Sequence, residues 1–154
     1  MLAARLVQII ESHPEDLTGG AIQDLQRNPL TPHYHHLSYQ ELRSRTYSVY
    51  LSLAECIRRG NEEMIATDFS DLAVCRYSET FPLAEVVAAL TATKNHLFHF
   101  VQTSGMVDLS VELRQERELR DRIGSFFDKA IYHAVQAYED KLTPAHLPGD
   151  VKAA

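Results

Sequence analysis

The sequence predicts an all-α protein: a single six-helix bundle with a long C-terminal helix. Three observations predict it. Apolar residues recur every three or four positions through most of the chain, which is the spacing of one helical face. The six glycines and six prolines fall mainly where such stretches stop or start. No run alternates apolar and polar residues with the period of two that a half-buried strand needs. At 154 residues the chain has the size of one domain and can bury a proper core.

The first helix spans Leu2 to Ser12 and is ended by His13-Pro14. A short second helix runs from about Ala21 to Arg27 and is ended by Asn28-Pro29. Leu30 to His36 reads as an extended connector, because two prolines close together resist helix. The third helix carries the clearest signals. Ser38 is its N-cap, Glu41 completes a capping box, and Leu37 and Leu42 occupy the staple positions. Tyr39, Leu42, Val49, Tyr50, Leu53, Cys56 and Ile57 share its apolar face. Arg58 and Arg59 suit its negative end, and Gly60 terminates it.

Asn61 is expected to cap the fourth helix, with Glu62 and Glu63 in its first turn. Ile65, Phe69, Leu72 and Ala73 form its face, and it ends near Thr80. Pro82 opens the fifth helix, where its missing N–H loses no bond. Leu83, Val86, Val87, Leu90, Leu97 and Val101 line one side of it. The sixth helix begins at Asp108 or Ser110 and runs to Lys141. Residues 1–142 thus form the helical domain, and 143–154 read as a flexible tail.

Composition excludes some functions. Asp and Glu outnumber Lys and Arg by 21 to 15, a net charge of −6, which argues against a nucleic-acid binder that relies on a basic surface. No apolar run approaches the roughly 20 residues of a membrane span. The N-terminal stretch contains Arg5 and Gln8 and lacks a signal-peptide cleavage site, so a cytoplasmic location is expected. Cys56 and Cys75 are far apart and read as reduced thiols.

Histidines are the first candidates for chemistry. His33, His35 and His36 cluster in the connector, and His96 and His99 are neighbours on the fifth helix. Imidazole is a common transition-metal ligand, yet a metal site needs fixed geometry and a ligand from another element. A metal- or cofactor-binding helical bundle that uses the His cluster is therefore the alternative, while the main reading expects no cofactor. Two cations are more informative. Lys94 falls near the centre of the fifth helix's apolar face, and Arg76 on the apolar side of the fourth. A buried cation needs a partner. Asp68, Glu79 and Glu85 are available, or a bound anion. Together Arg76, Lys94, Asp68 and Glu79 define a candidate polar core or ligand site. The usual hydrolase, metalloprotease, dinucleotide and phosphate-loop motifs are absent, and the chain is not expected to be an enzyme. On the sixth helix, Phe126, Phe127, Ile131 and Tyr138 form a stripe larger than a monomer normally exposes, which predicts a homodimer.

Several stretches share an order with a known module. Tyr34-His-His-Leu-Ser-Tyr-Gln-Glu-Leu-Arg43 opens a helix that ends in Arg-Gly. A helix with Arg76 near its end follows, then Phe81-Pro-Leu-Ala-Glu-Val86. Last comes Phe126-Phe-Asp-Lys-Ala-Ile-Tyr-His-Ala-Val-Gln-Ala-Tyr138. Over residues 30–141 this order resembles the N-terminal sensing domain of RsbRD-type stressosome co-antagonists. The resemblance implies an all-helical bacterial sensory domain, dimeric and without catalysis, that acts on a protein partner in a signalling pathway. It gives Arg76 and Lys94 polar-core roles. Phe81 departs from the small residue usual before the Pro-Leu start. No output domain follows in this sequence, so the resemblance implies action by binding, as a stand-alone regulator or as part of a longer protein.

Overall fold

A computed structural model describes residues 2–103 and 113–143. Six α-helices and one 3-10 turn account for nearly all of them, with no strand among the described residues. The helices are α1 (Leu2–Ser12), α2 (Pro14–Arg27), α3 (Tyr39–Arg59), α4 (Met64–Ser78), α5 (Leu83–Thr103) and α6 (Leu113–Leu142). The all-α bundle predicted from periodicity is the fold observed.

The helices form two groups around one core. α1 and α2 pack against α3, and α4 and α5 against α6. The α4–α6 contact is the most extensive, and α2–α5 and α1–α6 contacts join the groups. α6 owes its place to Leu119, Ile123, Phe126, Phe127, Ala130, Ala134, Ala137 and Tyr138, which recur at three and four residues and are all buried. Phe126 meets Phe69 of α4 edge to face, with ring centroids 5.5 Å apart. Burial of each such side chain stabilises the fold by roughly 1.5–3 kcal/mol.

This overturns the expected exposed stripe. Phe126, Phe127 and Tyr138 are in the core of the single chain, and Ile131 is half-buried beside it. The exposed large apolar residues of α6 are Tyr132 and Leu142 instead. The physical reason is that α4 and α5 together cover α6, so its apolar face needs no second copy.

Three element boundaries also differ from expectation. α2 begins at Pro14, not near Ala21. Proline is tolerated at the first helical position, and Glu15 and Asp16 favour that positive end. The helix then continues through Gly19 and Gly20, which the buried residues Leu17, Ala21, Ile22 and Leu25 hold in register. The connector is a 3-10 turn over Pro32–His36 rather than extended chain. Buried Thr31 precedes it and donates its hydroxyl to Leu25 O at 3.0 Å. α4 begins at Met64, and Asn61 caps only a preceding turn, accepting from the Glu63 N–H at 3.2 Å.

The α3–α4 and α4–α5 junctions each pass through a left-handed residue. Gly60 closes α3 in the left-handed conformation, φ 70°, where a residue without Cβ is unstrained. Thr80 follows α4 at φ 66°. The N–H of Thr80 donates to Tyr77 O and that of Phe81 to Arg76 O, both at 3.0 Å. This is a Schellman ending with a β-branched residue at the position glycine favours. Ser38 caps α3 as expected, accepting from the Glu41 N–H at 3.1 Å. The predicted start of the sixth helix at Asp108 or Ser110, and the tail beyond Thr143, lie outside the described residues.

Candidate functional site

The α4 C-terminus brings Arg76 inward because it continues the stripe of Ile65, Phe69 and Ala73. Arg76 is 9% exposed. One turn on, Glu79 caps the helix, and Arg76 Nη1 lies 3.4 Å from Glu79 Oε1. Arg45 reaches the same carboxylate from α3. Its Nη1 and Nη2 donate to Glu79 Oε1 and Oε2 at 2.7 and 2.6 Å, the paired geometry that suits a guanidinium and a carboxylate. Two cations thus share one anion.

Tyr34 of the 3-10 turn closes the cluster from behind. It is buried, and its ring meets Phe81 edge to face at 4.7 Å. Burial pushes its hydroxyl pKa up, while the neighbouring Arg76 guanidinium, by charge and by hydrogen bond, pulls the other way. The bond from Arg45 holds the Glu79 carboxyl below the usual glutamate range, and the same bond raises the pKa of Arg45. Next to Tyr34, buried Glu85 accepts hydrogen bonds from the backbone N–H of His33, at 2.8 Å, and from its Nδ1. That pair fastens the turn to the start of α5.

Two spaces adjoin the cluster. A small cavity of about 30 Å³ lies between Tyr34, Arg45, Thr46, Arg76 and Thr93, with Leu25 and Leu90 among its apolar walls. That is room for about one water molecule. A larger groove of about 720 Å³ runs along the surface between α3 and α4. Leu51, Leu72 and Met64 give it apolar surface over the buried Val49 and Phe69, and Asp68, Asp71 and Glu55 lie along it. Arg45, Val49, Leu72 and Arg76 line both spaces.

The predicted polar residues separate in the structure. Arg76 and Glu79 come together. Lys94 does not join them: it is only half-buried and makes no ion pair with a described residue. The buried stripe of α5 runs through Ala89, Leu90, Thr93 and Leu97, so Lys94 stands on its flank, where the ammonium reaches water. Asp68 is exposed and accepts a hydrogen bond from Ser52 Oγ at 2.6 Å, away from Arg76.

Arg45 and Tyr34 are the residues that sequence reasoning missed. A signal for Arg45 was present: with Leu42, Thr46 and Val49 it falls at the spacing of one helical face, and those three are buried. The histidines do not assemble a metal site. His33 engages Glu85, His35 Nε2 lies 2.8 Å from Asn28 O, His36 and His99 are exposed, and His96 packs by Gly20. Among the described residues no three His, Cys, Asp or Glu side chains gather as a metal would require. Cys56 is buried, with its thiol pKa pushed up to about 11 chiefly by burial, which leaves it protonated at neutral pH. Among the described residues no helix is long and apolar enough to cross a membrane.

No known protein family, curated protein or solved structure matches the chain.

Proposed function

We propose that this chain is a non-catalytic regulatory domain of the bacterial sensory kind, which binds a small ligand and acts on a protein partner. One observation carries this reading: an open groove between α3 and α4 ends on a buried arginine, Arg76, tied to Arg45 through a shared carboxylate. Groove volume is in the range of small-molecule sites. The resemblance to stressosome sensing domains supports the same reading. α4 forms one wall of the groove and packs along α6, so a ligand that shifts α4 also shifts α6. The outer face of α6, where Tyr132 is exposed, is then the surface that meets the partner. A homodimer through Phe126, Phe127 and Tyr138 is not part of this reading, since those side chains are already buried.

The test is site-specific photocrosslinking in living cells, with the reactive residue at Tyr132 and, as control, at Gln8. A discrete adduct with one other protein from Tyr132 but not from Gln8, altered in yield by Arg76→Met, is expected. Equal, diffuse labelling from both positions would remove the proposal.

A further inference from the structure

The charge in the groove is unevenly placed. At one end the guanidiniums of Arg45 and Arg76 share the carboxylate of Glu79, with Glu41 also acting on Arg45. Along the groove Asp68 and Asp71 are negative, and at the far end Arg59 is already paired with Glu55 at 3.2 Å. A ligand anion therefore fits only at the Arg45–Arg76 end. From Arg76 back to Met64 the α4 wall extends about 18 Å at 1.5 Å per residue. Leu51, Leu72 and Met64 give this stretch its accessible apolar surface.

Glu79 itself holds the arginines from outside. Its side chain is 37% exposed, against 21% for Arg45 and 11% for Arg76. Arg76 makes one contact of 3.4 Å with it, while Arg45 takes both oxygens. The guanidinium of Arg76, with five donors in a fixed fork, thus gives Glu79 one contact and Tyr34 another, and keeps donors to spare. A second carboxylate approaching through the groove meets the same two guanidiniums and must replace Glu79 on them.

We propose that Arg45 and Arg76 form the head-group site for an organic carboxylate whose apolar remainder lies along Leu51, Leu72 and Met64, and that Glu79 is the built-in competitor for those two guanidiniums when the ligand is absent. This rests on the ligand-binding reading above and names its ligand class. The tethered Glu79 carboxylate acts at an effective concentration in the millimolar range, so it weakens a free carboxylate's apparent affinity without new contacts. Its removal should tighten binding.

Decanoate is a suitable probe, with decanol as its uncharged twin and acetate as the head group alone. Binding to the full chain is measured by calorimetry and by amide chemical shifts. Decanoate should bind the Glu79→Gln variant roughly tenfold tighter than wild type, a change in one direction that a merely disrupted fold does not give. Arg76→Met should lose decanoate binding, and Arg76→Lys should keep part of it. Leu51→Gln, a change at a rim residue that is 42% exposed and removable without opening the core, should weaken decanoate and leave acetate unchanged. Equal affinity in wild type and Glu79→Gln overturns the competitor role. Decanol binding as tightly as decanoate overturns the head-group site, and acetate or chloride matching decanoate overturns the tail. If decanoate fails while the Tyr132 crosslink persists, the ligand class is wrong and the regulatory reading stands; loss of the crosslink alone has the opposite meaning.

Discussion

A β-carbon built on Gly20 would lie 2.9 Å from Nδ1 of His96, so α2 and α5 meet at a point where a side chain forces the imidazole to move. Gly19, its neighbour, has nothing within 4 Å of the same position, and neither does Gly124 in α6. Alanine in a helix is favoured over glycine by about 0.5–1 kcal/mol. Gly19→Ala and Gly124→Ala should each raise stability by about that amount, whereas Gly20→Ala should gain nothing or lose. Urea midpoints of the three variants test this, and a Gly20→Ala gain equal to the other two would mean that the α2–α5 approach is looser than described.

The two left-handed helix ends make a second pair. Gly60 and Thr80 have nearly the same φ, 70° and 66°, but only one of them is glycine. A Cβ in this conformation costs roughly 1–2 kcal/mol. Thr80→Gly should therefore stabilise the protein, by about 1 kcal/mol after the entropy of the freer unfolded chain is counted. Gly60→Val should destabilise it by at least as much. Calorimetric melting of both variants reads the sign directly.

Glu79 gives the acid response. Its folded pKa is lowered, chiefly by the bond from Arg45, so its contribution is present above the ordinary glutamate value and is lost as pH falls through the lowered one. Glu79→Gln should be less stable than wild type at neutral pH, and the difference should shrink as pH falls below about 4. A gap that stays constant into strong acid would show that Glu79 makes no charge-dependent contribution. Exposure of its side chain keeps the effect modest.

Alkaline conditions act through Tyr138. Its hydroxyl donates to Phe81 O at 2.8 Å in a buried setting, and burial raises its pKa to about 12. Against an unfolded value near 10, the associated stability is complete below about pH 10 and is lost as pH rises towards 12. Tyr138→Phe leaves the Phe81 carbonyl without this donor and should lose about 1–3 kcal/mol at pH 7. Its stability should also fall less steeply between pH 10 and 12, with Tyr34 and Tyr50, both also raised, retaining part of the slope. An unaltered slope would mean that Tyr138 does not titrate with unfolding.

Lys94 and Arg76 should part ways. Lys94→Met changes a half-exposed flank residue without an ion pair to a described residue and should fall within about 0.5 kcal/mol of wild type. Arg76→Met removes a buried partner of Glu79, yet Arg45 continues to neutralise that carboxylate. The loss should be about 1–2 kcal/mol, below the ~3–5 kcal/mol of an orphaned buried charge. Thermal melts in low salt decide between them, and equal effects would sink the assignment of Arg76 to the core.

What the sequence made legible follows from how local each signal is. The α3 boundaries were readable because Ser38 and Gly60 act through their own backbone within one turn. α2 was cut short because Gly19-Gly20 weakens a helix locally, and only the packing of Leu17, Ala21 and Ile22 overrides that. Lys94 and Arg76 looked equivalent on a helical wheel. A turn of about 100° separates Lys94 from buried Thr93, and which flank meets a neighbour depends on α5's packing. Arg45 was hidden among exposed residues of α3, although its place beside Leu42 and Val49 carried the information. The α6 stripe was recognised as apolar, but what covers it is a tertiary fact.

Because α6 is made after the helices it covers, its share of the core can close only late in synthesis. Until Phe126 has left the ribosome, Phe69 of α4 lacks the ring it meets, and the faces of α4 and α5 that α6 covers stay open. A stop codon before Ile123 should therefore yield a chain whose α4 and α5 faces stay uncovered and prone to aggregate.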